Sequence, residues 1–166
     1  MKKRLLFISL LAVAIAGISA SSVSGANAKK KKKSTPVTLG PNPFITHMFT
    51  ADPSAHVWKD GRLYVYPSHD IDPPRGCDLM DRYHVFSTDD MVNWTYHGTI
   101  DVGEISPWAI ASWAPSVVSR VEEDGKTHFY LYYSNSGWGV GVLTADSPTG
   151  PWTDPLGKSI IDGNTK

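Results

Sequence analysis

In the stretch Phe49-Thr50-Ala51-Asp52-Pro53-Ser54-Ala55-His56, a carboxylate stands directly before a proline at the entry to a strand-like segment. Proline disfavours the helical region for the residue before it and pushes that residue towards extended geometry. The chain itself is therefore expected to aim the Asp52 carboxylate. An aspartate is ordinarily ionised at neutral pH, so a fixed one suits a general base that activates water. An Asp that only caps a turn ahead of a strand fits the same dipeptide.

Other chemistry-bearing residues point to less. His47, His56, His84, His97 and His128 are not spaced as metal ligands, and no metal or other cofactor is expected. Gly137-Trp138-Gly139-Val140-Gly141 has the glycine density of a phosphate loop, yet it leads into a strand pattern and not a helix. Cys77 is the only cysteine, so no intramolecular disulfide can form, and nothing around it marks a nucleophile.

The elements that must position Asp52 come in two similar modules. Val57-Trp58-Lys59-Asp60-Gly61-Arg62-Leu63-Tyr64-Val65-Tyr66 and Val121-Glu122-Glu123-Asp124-Gly125-Lys126-Thr127-His128-Phe129-Tyr130 each read as an extended run, an Asp-Gly turn and an aromatic strand. Downstream of each, a strand, a polar turn and a tryptophan recur, at Val85 to Trp94 and at Val142 to Trp152. A period near sixty, with about four short strands per unit, is the pattern of propeller blades. Trp94 and Trp152 stand at equivalent places and are expected in the cores of the two modules. Helical periodicity is absent beyond the N-terminal segment, and the expected fold class is all-β.

The N-terminus reads as an address. Lys2, Lys3 and Arg4 precede an apolar run from Leu5 to Ile18, and Ala26-Asn27-Ala28 offers a cleavage site. Residues 1–28 are expected to be a signal peptide directing export to the periplasm or the extracellular space, leaving no stable membrane span after cleavage. Residues 29–40 read as a Lys-rich linker, and 41–166 as the folded part. The sixteen basic and sixteen acidic residues of the chain balance only because residues 1–33 carry eight of the basic ones. Residues 34–166 are left with eight basic against sixteen acidic groups, a sign that repels phosphate backbones, so no nucleic-acid partner is expected.

Read together, Asn42-Pro43, Ala51-Asp52-Pro53-Ser54, Asp60-Gly61-Arg62-Leu63-Tyr64-Val65-Tyr66, Ser68-His69-Asp70 and Trp113-Ala114-Pro115 stand in the order and spacing of one family. From about Pro41 onward the chain resembles glycoside hydrolase family 43. The resemblance implies a five-bladed β-propeller, of which about the first two blades are expected here as an incomplete ring, since five such modules need about twice this length. It implies an inverting β-xylosidase or α-L-arabinofuranosidase acting on oligo- or polysaccharides of the arabinoxylan class, with Asp52 as general base. By the same resemblance His69 and Asp70 face the sugar, and Trp113 lays an apolar ring face against its C–H groups.

Inversion also needs a carboxylic acid on the far side of the scissile bond. The family supplies that Glu, and an Asp that tunes it, from later blades. Neither has a match here: Glu104, Glu122 and Glu123 lie in a loop or beside an Asp-Gly turn, and Asp162 lacks the strand that should carry the tuning Asp. The family's occasional calcium likewise depends on a histidine from a later blade. Two other readings of the residues stay open. One is a non-catalytic, carbohydrate-binding propeller remnant. The other is an envelope-attached structural protein acting through Lys29 to Lys33.

Overall fold

The computed structural model describes residues 35–40, 42–71 and 80–163. The expected signal peptide, the lysine run and Cys77 lie outside them. Alternating aromatic and β-branched runs broken by glycine and aspartate turns produce an all-β architecture of two antiparallel sheets. In the first, β1 (Val37–Leu39), β2 (Phe49–Val57), β3 (Leu63–Asp70), β4 (Arg82–Thr88) and β5 (Trp94–Asp101) stand in the order β1-β5-β4-β3-β2. In the second, β6 (Trp113–Val121), β7 (Thr127–Ser134), β8 (Gly139–Ala145) and β9 (Ile161–Asp162) follow chain order. β1 falls within the stretch read as linker and pairs with β5.

The two Asp-Gly segments form the hairpins expected of them, with the same bonds in both. Gly61 and Gly125 take φ of +80° and +77°, a region open to glycine at little cost. Their N–H groups donate to the carbonyls of Trp58 and Glu122, at 3.0 and 2.9 Å. Asp60 Oδ1 and Asp124 Oδ1 accept from the N–H two residues on, Arg62 and Lys126. That Asx geometry explains why aspartate precedes each glycine.

One face of the first sheet packs on the second. Tyr64, Tyr66, Tyr83, Val85 and Ile100 meet Val117, Phe129, Leu131, Tyr133 and Leu143 in one core, which Trp152 also joins. Tyr66 and Tyr83 are wholly buried and spend their hydroxyls across the junction, on the carbonyls of Pro148 (2.9 Å) and Trp113 (3.1 Å). Buried phenols thus contribute apolar area and satisfied polar tips together. On the opposite face of the first sheet, Phe44 stacks on Trp94 at 3.8 Å and meets Phe86 edge-on.

The two modules differ at their outer strands and between the sheets. β5 is continuous, whereas its counterpart is split between a bridge at Thr153 to Thr144 and β9, with residues 154–160 looping between them. A four-residue helix, α1 (Val102–Ile105), follows β5. It is too short to leave a periodic trace in the sequence. No helix among the described residues is long and apolar enough to cross a membrane.

Candidate active site

Asp52 does not adopt the extended backbone expected of a residue before proline. Its φ is +45°, and with Pro53 it forms a bulge: Ala51 pairs with Ser68 and Ser54 with Tyr66, so two residues oppose Pro67 alone. The pre-proline clash removes the right-handed helical region but leaves this geometry open, and aspartate tolerates positive φ better than most residues. A bulge re-aims the side chains it carries. Asp52 is exposed as a result.

The second sheet repeats the device. Ala114-Pro115-Ser116 on β6 matches Asp52-Pro53-Ser54 on β2; Ala114 has φ of +34°, and the register shifts between Trp113 and Ser116 across from Tyr133. β2 and β6 lie side by side, tied where Val117 N–H donates to Ser54 Oγ at 3.0 Å. The two bulges therefore stand at the same level of neighbouring strands. One carries a carboxylate and the other a methyl.

The remaining expected site residues gather at this end. His69 and Asp70 close β3 opposite Thr50 and Phe49, and Trp113 opens β6 directly before its bulge. All three are half-buried. Ser68 Oγ donates to the Ala51 carbonyl at 2.8 Å, pinning β3 to β2 immediately before the Asp52 bulge. Asp70 Oδ1 and Trp113 Nε1 are buried without a hydrogen-bond partner. Trp113 takes its place from its backbone: its carbonyl accepts the Tyr83 hydroxyl, and the loop before it is held by Asn135.

That loop depends on one buried amide. Asn135 is 3% exposed, and its Oδ1 accepts from the N–H groups of Ile110 (2.8 Å) and Ala111 (3.0 Å). Ser112 N–H and Oγ both donate to the Met80 carbonyl. Trp108 Nε1–H donates to Asp154 at 2.7 Å. Burial works against the Asp154 carboxylate, but the Trp108 bond and the N–H groups of Leu156 and Gly157 hold its pKa below the usual range.

Beside His69 runs a chain of polar groups across three strands. His69 Nδ1 lies 2.8 Å from His84 Nε2 on β4, and His84 Nδ1 lies 2.9 Å from the Tyr96 hydroxyl on β5. Burial first, then the neighbouring His69 and Arg82, lowers the pKa of His84 to about 4. It is therefore a neutral imidazole at neutral pH. Burial raises the Tyr96 hydroxyl. At the rim, burial would raise Asp81, but the hydrogen bonds and charge of Arg82 hold it low, and Arg82 also faces Asp101 at 3.6 Å.

Sequence reasoning singled out neither His84, Tyr96 nor Asn135 for this end of the molecule. Their relation to His69 and Trp113 crosses strands, and no local spacing reports it. Ser54 and Ala114 did leave a signal, the x-Pro-Ser triplet recurring 62 residues apart. Among the described residues no three His, Cys, Asp or Glu side chains are grouped to hold a metal ion.

The family model for glycosyl hydrolases family 43 matches residues 41–165. An arabinoxylan arabinofuranohydrolase from Paenibacillus polymyxa is 43% identical over 141 residues, covering 75% of this chain and 22% of that protein. The crystal structure of a glycoside hydrolase family 43 arabinoxylan arabinofuranohydrolase from Bacillus subtilis, in complex with cellotetraose, is similar at a TM-score of 0.65 and 44% identity. It covers 76% of this chain and 29% of that one. An α-L-arabinofuranosidase from Clostridium thermocellum is similar at a TM-score of 0.58 and 45% identity, over 74% of this chain and 40% of that one. The chain thus spans between about a fifth and two fifths of the length of these relatives.

Proposed function

Because the chain belongs to glycosyl hydrolases family 43, we propose that it carries the water-activating side of an inverting glycosidase site that acts on arabinoxylan-derived saccharides. Asp52 is the general base. The observation that carries this is its placement: an exposed carboxylate on a positive-φ bulge, at the strand end where His69, Asp70 and Trp113 also gather. A carboxylate held by its backbone needs little reorganisation to accept a proton from water, and a general base is typically worth ~10²–10⁴-fold in rate. His69 and Asp70 bind hydroxyls of the pentose, and the Trp113 ring covers its C–H face. The fold in this reading is a five-bladed propeller, and the two sheets are its first two blades.

The relatives' names favour removal of arabinofuranose over release of xylose, since arabinofuranohydrolase and arabinofuranosidase recur among proteins more than 40% identical to this chain. Export through residues 1–28 belongs to the same proposal. The N-terminal sequence of the secreted product tests it.

A second reading, sugar binding without turnover, is favoured by Glu122 and Glu123. Glu122 lies past the far end of β6 from Trp113, where it accepts the Tyr130 hydroxyl at 2.5 Å and pairs with Arg120 at 3.2 Å. Glu123 lies in the turn next to it. Neither is placed to protonate a leaving group beside Asp52. Assay of the 166-residue chain on nitrophenyl α-L-arabinofuranoside and β-xyloside separates the readings. Turnover that Asp52→Ala abolishes supports the catalytic one, saturable binding of arabinoxylan oligosaccharides without turnover supports the second, and indifference to both sugars defeats the two together.

A further inference from the structure

The chain His69–His84–Tyr96 lies on the face of the first sheet away from the shared core, and nothing in the general-base chemistry uses it. His69 ends β3 opposite Thr50, His84 sits in β4, and Tyr96 sits in β5 next to Phe86, with ring centroids 5.0 Å apart. The register of β4 on β5 shifts between Val85 and Phe86, next to His84. Contacts of 2.8 and 2.9 Å leave no room for a water between the three side chains.

A neutral imidazole has one donor and one acceptor, so a line of such groups has a direction. The Tyr96 hydroxyl sets it. Among the described residues the only hydrogen-bond partner of that hydroxyl is His84 Nδ1. If its hydrogen points there, His84 Nδ1 is the acceptor and the His84 proton resides on Nε2. That Nε2–H then donates to His69 Nδ1, and the proton of a neutral His69 is left on Nε2, the nitrogen directed away from the line. The reverse direction would place a proton on His84 Nδ1 and use the phenolic oxygen as acceptor, turning the O–H of half-buried Tyr96 away from the imidazole to solvent. His84 is 4% exposed and its neighbours include the Arg82 cation, so a charged imidazolium does not relieve the constraint.

We infer that Tyr96 and His84 are positioning residues that fix His69 as the Nε2–H tautomer, so that it meets a sugar hydroxyl as a hydrogen-bond donor. Neither touches the sugar. The inference builds on the proposed sugar contact of His69, and its tautomer part stands independently of that contact. It also accounts for a buried histidine on a sheet face that carries Phe86, Trp94 and Phe44.

The test is a two-bond ¹H–¹⁵N correlation spectrum of the ¹⁵N-labelled full chain at about pH 8, where an ordinary histidine is neutral. The expected result is His69 with Nε2 protonated and Nδ1 bare. In Tyr96→Phe, checked for a native amide fingerprint, the His69 signals move towards the Nδ1–H form. In His84→Gln, whose amide N–H can replace the Nε2–H donor, they stay where they were. A His69 protonated on Nδ1 in the unmodified chain overturns the inference, and so does a natively folded Tyr96→Phe with an unchanged His69 tautomer. If Tyr96→Phe does not fold, the unmodified chain alone decides. Titration with methyl α-L-arabinofuranoside is expected to shift His69 Nε2 selectively. The correct tautomer with no response to the glycoside refutes the sugar contact and leaves the positioning pair intact.

Discussion

Replacing Asn135 with alanine removes the carboxamide whose oxygen serves two backbone donors, and orphans both. The N–H of Ala111 is buried, and an unmet buried donor costs ~1–3 kcal/mol. Ile110 is exposed, so water can reach its N–H and the loss there is closer to the net value of one hydrogen bond, ~0.5–1.5 kcal/mol. The sum is about 2–4 kcal/mol, a large share of the ~5–15 kcal/mol that holds a domain folded. With a urea m-value of ~1.5 kcal/mol/M, the midpoint falls by ~1–3 M. Asn135→Asp keeps both acceptor contacts but puts a carboxylate at a 3% exposed position, so it is not expected to restore the parent's stability at neutral pH. Urea unfolding followed by tryptophan fluorescence measures all three proteins. An Asn135→Ala midpoint within ~0.3 M of the parent refutes the claim that this amide holds the loop leading to Trp113.

Three further outcomes are expected. At Gly141 an added methyl would lie inside the ring of Tyr133, which is fully buried and cannot swing away, so Gly141→Ala is expected to cost ~1–3 kcal/mol or more in the same assay. His84 titrates near 4 when folded and near the ordinary 6.5 when unfolded, so the unfolded state binds the extra proton between those values. Stability is therefore complete above about pH 6.5 and declines as pH falls towards 4, by roughly 3 kcal/mol over the window; His84→Gln should flatten that limb, and identical pH profiles for the two proteins would contradict it. Asp52→Ala is expected to end any turnover while lowering stability by no more than about 1–2 kcal/mol, the cost of alanine at a positive φ, because the side chain itself is exposed.

What could be read in the chain before folding was whatever is encoded locally. The Asp60-Gly61 and Asp124-Gly125 turns were legible because a positive-φ glycine after a side-chain acceptor is a property of three or four adjacent residues. Trp94 and Trp152 were legible as core because they recur in matching context, and they are 5% and 7% exposed. The backbone of Asp52 was not. A rule that removes one region of φ/ψ space says nothing about which remaining region a bulge selects. The line from His69 to Tyr96 was less accessible still, since it depends on the register of three strands. Asn135 meets Ile110 and Ala111 only because β7 ends level with the start of β6.

The twin bulges separate architecture from reactivity. Ala114 occupies its kink with no ionisable group, so the kink itself does not depend on a carboxylate. An evolving scaffold of this kind holds vacant sockets already built to the right shape. Reactivity can be installed in one of them, or withdrawn from it, by exchanging a single side chain while the surrounding framework is left as it was.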